Sequence, residues 1–234
     1  MASSLLLTRA GFVVSTVAAA CSQAPPSPDN DRQRFDDFSK DLRAATNAGV
    51  YVPHGAVTPA FVDGHLVRLT IGNIPLDSFP ASISRFHHLS DLTVYNCGLT
   101  QWGGLRSASV GSLCLPQNRL TALPNLRDRF PQLERLDLSQ NELRGPVTLA
   151  RLSPALVSIN LARNAISSLA FQQPAPPLVY ANFSYNHLTD VDPSICHLAA
   201  LKSLNVWRNP LKFKLDTATV FCGRIPMSRT TYMD

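Results

Sequence analysis

The chain has 234 residues, of which 45% are hydrophobic and only 16% charged, and its formal net charge is +5. That is enough apolar material for one ordinary domain with caps, and too little charge for a disordered, solvated chain. The basic excess lies late: 201–234 carries six bases (Lys202, Arg208, Lys212, Lys214, Arg224, Arg229) against two acids (Asp216, Asp234). An excess this mild reads as a soluble basic cap, and no nucleic-acid partner is expected.

Residues 1–28 contain no acid. Leu5-Leu6-Leu7, an apolar run from Gly11 to Ala20, Cys21-Ser22-Gln23 and a proline-rich exit read as a secretory signal peptide over 1–22. Ala18 and Ala20 supply small residues before a cut at Cys21, as do Ala20 and Ser22 before one at Gln23. The acid-free, serine-containing stretch also fits a mitochondrial address, with Arg9 its single base. A secreted or cell-surface protein therefore stands beside a mitochondrial or cytoplasmic one. No segment supplies the roughly 20 apolar residues of a membrane span.

Residues 23–65 read as a linker and N-terminal cap. Phe35, Phe38, Leu42 and Ala45 fall at helical spacing between Asp31 and Asn47, and Gly49 follows as a stop.

From Leu66 the chain repeats itself. Leu66, Leu89, Val110, Leu133, Leu156, Leu178 and Leu201 anchor seven segments, and the residues three, five and ten places beyond each anchor are apolar in every one. Eight places beyond the anchor stand Asn118, Asn141, Asn164, Asn186 and Asn209, with Cys97 and Ile74 in the first two repeats. A buried Asn at a sharp turn supplies both a donor and an acceptor to backbone groups that have no sheet partner. Ile74 cannot do so, and a looser, edge-like first repeat is expected.

This pattern resembles the leucine-rich-repeat signature, L-x-x-L-x-L-x-x-N/C-x-L, over 66–211. Leu120-Thr-Ala-Leu-Pro124 looks like the typical short class. Asn141-Glu-Leu-Arg-Gly-Pro-Val147 looks like the plant-type form with its Pro and aliphatic residue transposed. The resemblance implies an α/β solenoid, a horseshoe of about seven repeats over 66–212 with a parallel β-sheet on its concave face. A helical cap is expected before it and a second cap over 213–234.

Alternation along each strand places positions three and five inward, so positions two, four and six face out. In the last three repeats Tyr180 and Trp207 then face out around Asn160, Asn182 and Asn205, and beside them, at position seven, stand Arg163, Tyr185 and Arg208. These are the residue types that dominate interface hot spots, and a protein or peptide ligand is expected there. Trp102 falls at an inward position and reads as core. Asp137 beside Arg135 reads as a surface ion pair, and His87-His88 as exposed loop. Asn182-Phe-Ser184 is a glycosylation sequon inside the same face. Cys97 should point inward and Cys114 outward. Cys196 and Cys222 would bridge in an exported chain and stay reduced otherwise. No ligand spacing for a metal, no phosphate loop and no nucleophile motif is present, so no metal, no cofactor and no catalytic residue is expected.

Overall fold

The computed structural model describes residues 30–46, 53–148, 151–170, 176–191, 195 and 198–212. The leader, Cys196, Cys222 and the 213–234 cap lie outside them. Apolar residues at alternate positions favour a half-buried strand, and a step of 21–23 residues brings each new strand beside the last. Helix α1 (Asp31–Ala45) comes first, followed by β1 (Val57–Val62), β2 (His65–Gly72), β3 (Asp91–Tyr95), β4 (Ser112–Cys114) and β5 (Arg135–Asp137). Then come β6 (Arg144–Thr148), β7 (Ser158–Asn160), β8 (Ala165–Ala170), β9 (Tyr180–Asn182) and β10 (Ser203–Asn205).

Strands β2, β3, β4, β5, β7, β9 and β10 run parallel in one sheet, each hydrogen-bonded to the next. Corresponding positions of successive repeats lie opposite one another: Leu69 faces Leu92, Leu113 faces Leu136, and Ala181 faces Leu204. The inward positions stack into one continuous core from Phe38 to Val206. Each repeat buries its apolar side only against its neighbours, which is the logic of a solenoid.

The N-terminal edge is not loose. β1 turns back through Asp63-Gly64, both with positive φ (49° and 83°), and pairs antiparallel with β2. That is the backbone of a tight primed hairpin turn. Pro59, which lacks an N–H, is tolerated because β1 is an edge strand. Helix α1 closes the remaining apolar surface. Asn30 caps it by accepting from Arg32 N–H, and Asp31 accepts from Leu66 N–H at 2.9 Å, tying the helix to β2. Phe38 packs against Phe79 and, edge to face, Phe86; Phe35 meets Phe61 at 5.8 Å.

The other side of the stack carries the 3₁₀ turn Ala81–Arg85, helix α2 (Leu126–Arg129) and a second, two-stranded parallel sheet of β6 and β8. Trp102 is core, and its indole N–H donates to Ala122 C=O at 2.9 Å. Just after it, Gly104 lies so close to Ala81 that a Cβ would sit 2.5 Å from the Ala81 Cα. Gly104→Ala is expected to force the two repeats apart and lower stability by about 1–3 kcal/mol, read from urea unfolding. An unchanged midpoint would show that the contact relaxes freely.

Two rows run the length of the solenoid. One is the asparagine row: Asn141 Nδ2 donates to Leu115, Leu138 and Ser139 C=O, while its Oδ1 accepts from Leu120 N–H. Asn118, Asn164, Asn186 and Asn209 repeat the arrangement. Cys97 mimics only part of it, its thiol donating to Tyr95 C=O at 3.2 Å. The neighbouring row, one residue earlier, has no compositional signature: Asn73, Asn96, Gln117, Gln140, Arg163, Tyr185 and Arg208 all have left-handed backbones, φ 51–57°. From Asn73 to Tyr185 each of their N–H groups donates across to the next repeat, as Arg163 does to Ser184 C=O and Tyr185 to Trp207 C=O. The twist at this residue lets the following Asn turn into the core while pairing between repeats continues.

Candidate partner-binding face

The outward positions of β7, β9 and β10, and the left-handed residue that follows each, form the face in question. Position four of these repeats is Asn160, Asn182 and Asn205. Each folds its side chain back on its own strand end: their Oδ1 atoms accept from Ala162, Ser184 and Trp207 N–H at 3.2, 3.1 and 3.0 Å. Short amides do this readily because the backbone donor lies two residues on. Asp137 takes the same role in β5, accepting from Ser139 N–H and from Asn160 Nδ2. Its oxygens are thus engaged by amides, and the ion pair with Arg135 expected from sequence does not form.

Four of the expected residues come together in one stack. Arg163 lies over the Tyr185 ring, its Cζ 4.4 Å from the centroid. Tyr185 meets Trp207 edge to face at 5.0 Å and 86°, and Arg208 lies 4.9 Å over Trp207. Such contacts fix both rings and both guanidinium groups in place. Trp207 and Tyr185 are half-buried, Arg163 and Arg208 exposed. Tyr180 stands apart, at the start of β9 beside Ser158 and Ser203, and at 53% exposure it is one of two large apolar side chains left in solvent among the described residues. The geometry therefore divides the face into a cation–aromatic stack at one end of the strands and a lone tyrosine at the other.

Position six does not face out uniformly. Ala162 and Ser184 are buried, whereas Tyr95 and Trp207 remain half-exposed. At the far end Tyr95 lies directly against Gly72, whose missing side chain makes room for the ring. Cys97 is buried and Cys114 half-buried on the outward side. Burial pushes both thiols above their ordinary pKa, and the charges of Asp137 and Asp91 add to the effect at Cys114. Neither favours the reactive thiolate. His87 and His88 are exposed, and the His88 ring stacks 4.0 Å from His65.

Parallel strands set 21–23 residues apart and joined by an asparagine row define a leucine-rich-repeat solenoid; the chain is a leucine-rich-repeat protein. No protein-family model matches it. Among solved structures it is similar to YopM from Yersinia enterocolitica WA-314, at 31% identity and a TM-score of 0.51, over 62% of this chain and 30% of that one. It is 30% identical over 156 residues to receptor-like protein 7 of Arabidopsis thaliana, covering 64% of this chain and 16% of that protein. It is 28% identical over 168 residues to adenylate cyclase of Schizosaccharomyces pombe, covering 68% of this chain and 9% of that enzyme. The chain thus spans only a small part of the curated relatives it matches. No helix among the described residues is long and apolar enough to cross a membrane.

Proposed function

We propose that this chain is a non-catalytic protein-binding module, secreted or surface-associated, whose concave sheet face receives a protein or peptide through its C-terminal third. The Arg163–Tyr185–Trp207–Arg208 stack carries the reading. Rigid aromatic and arginine side chains lose little freedom on binding and supply most of the energy at protein interfaces. Similarity to a receptor-like protein supports the surface-associated setting, while the part shared with adenylate cyclase is a small fraction of that enzyme. A glycan on Asn182 would obstruct the face. Because Ser184 of the sequon is buried and its N–H holds the Asn182 side chain, we propose that the folded chain leaves Asn182 unmodified.

Selection of a random displayed-peptide library on the full chain tests the reading. Tyr180→Ala, Tyr185→Ala and Trp207→Ala should each weaken the selected binders by about 1–3 kcal/mol while circular dichroism stays unchanged. Binders that tolerate all three substitutions would move the binding surface elsewhere.

A further inference from the structure

We propose that the ligand of this face is an extended acidic peptide, with carboxylates three residues apart received by Arg163 and Arg208. This rests on the concave-face reading above and adds the ligand's chemistry.

Charge is the first argument. The outward and left-handed positions of the last three repeats hold Ser158, Asn160, Ala162 and Arg163, then Tyr180, Asn182, Ser184 and Tyr185, then Ser203, Asn205, Trp207 and Arg208. Two are cations and none is an anion. By contrast the outward positions of the first four repeats carry Arg68 and Arg135 against Asp91 and Asp137, which cancel. Neither Arg163 nor Arg208 is ion-paired among the described residues.

Hydrogen-bonding polarity is the second. The Oδ1 atoms of Asn182 and Asn205 are already engaged by backbone N–H groups, which leaves their amide hydrogens as what the side chains can offer. Stacking each guanidinium on a ring covers one of its faces and leaves its N–H edges open, the geometry that grips a carboxylate with two bonds. The face is therefore rich in donors, and it selects a ligand rich in acceptors: backbone carbonyls and carboxylates.

Spacing is the third. Arg163 and Arg208 occupy the same position two repeats apart, a backbone separation of about 10 Å at the usual inter-strand distance. A polyproline-II peptide advances about 9 Å in three residues and returns the side chain to the same side. An Asp-x-x-Asp peptide laid across the strands meets both arginines, whereas adjacent aspartates do not.

The experiment uses the full chain and synthetic nine-residue proline-rich peptides carrying Asp-x-x-Asp, Asp-Asp or Asn-x-x-Asn, followed by calorimetry at low and high salt. Asp-x-x-Asp is expected to bind about tenfold tighter than either of the others, and salt should narrow the gap. Arg163→Gln and Arg208→Gln should each remove most of that advantage. Glutamine suits this backbone, since Gln117 and Gln140 hold the same left-handed position. Equal affinity of the Asp and Asn peptides, absence of binding by any of them, or an advantage that survives both substitutions would overturn the proposal. The displayed library separates the two levels of inference. Neutral binders that depend on Trp207 would sink the acidic ligand and keep the concave face; binders independent of the aromatic residues would sink both.

Discussion

Phe38→Ala is expected to cost about 3–5 kcal/mol, the range for emptying a buried aromatic site. Phe38 is 1% exposed and contacts Phe35, Phe79 and Phe86, so the vacated space lies where α1 meets the first repeat. Because a solenoid is stabilised pairwise along its length, the loss should fall on that end first. Hydrogen exchange should show amides of α1, β1 and β2 losing protection while those of β5 and β7 keep most of theirs. Uniform loss would mean that the stack unfolds as one cooperative unit. A loss below about 1 kcal/mol would mean that the helix contributes little to the end of the stack.

Asn141→Ala is expected to cost about 2–4 kcal/mol without enlarging the core contacts of any neighbour, since the loss is of hydrogen bonds to buried backbone. Leu120 N–H and Leu115 C=O would be left without the partner that Asn141 supplies. Asn141→Cys should be milder than Asn141→Ala, because Cys97 shows a thiol donating to a carbonyl from the same position. Asn96→Ala is the control: Asn96 is exposed, its side chain bonds the Asn73 side chain rather than buried backbone, and its loss should cost only about 1 kcal/mol, the strain of alanine on a left-handed backbone. Thermal or urea unfolding of the four chains checks the order, and an Asn141→Ala chain as stable as the Asn96→Ala chain would remove the asparagine row from the list of what holds the repeats together.

The parallel sheet and the asparagine row were legible in the sequence because both repeat, and a period accumulates evidence over seven segments. The hairpin at the N-terminal edge occurs once and has no such support. Its signal was nevertheless present: Asp63-Gly64 between Val57–Val62 and His65–Gly72 is the dipeptide a primed turn demands. The β6–β8 sheet was harder to foresee, since Arg144-Gly-Pro-Val-Thr148 and Ala165-Ile-Ser-Ser-Leu-Ala170 differ in composition and pair with a register shift at Pro146. At the candidate face, alternation places Tyr180 and Trp207 outward with Arg163, Tyr185 and Arg208 next in sequence beside the strands, but it does not show which of them touch. Sequence spacing along strands does not encode the angle at which Trp207 meets Tyr185 or the lean of Arg163 over its neighbour. Likewise sequence pairs Asp137 with its nearest opposite charge, Arg135, whereas its donors in space are Ser139 N–H and the Asn160 amide.

The left-handed row has a consequence for how this protein can change. Asparagine tolerates that backbone, as at Asn73 and Asn96; Arg and Tyr adopt it at a cost of about 1 kcal/mol or more each. Selection for heat tolerance alone would therefore drift Arg163, Tyr185 and Arg208 toward asparagine or glycine, dismantling the stack while strengthening the chain. Under joint selection for heat tolerance and ligand capture, the same three positions would resist that drift and gains would accumulate elsewhere. A lineage evolved both ways would thus carry, at three codons, a record of whether the face is in use.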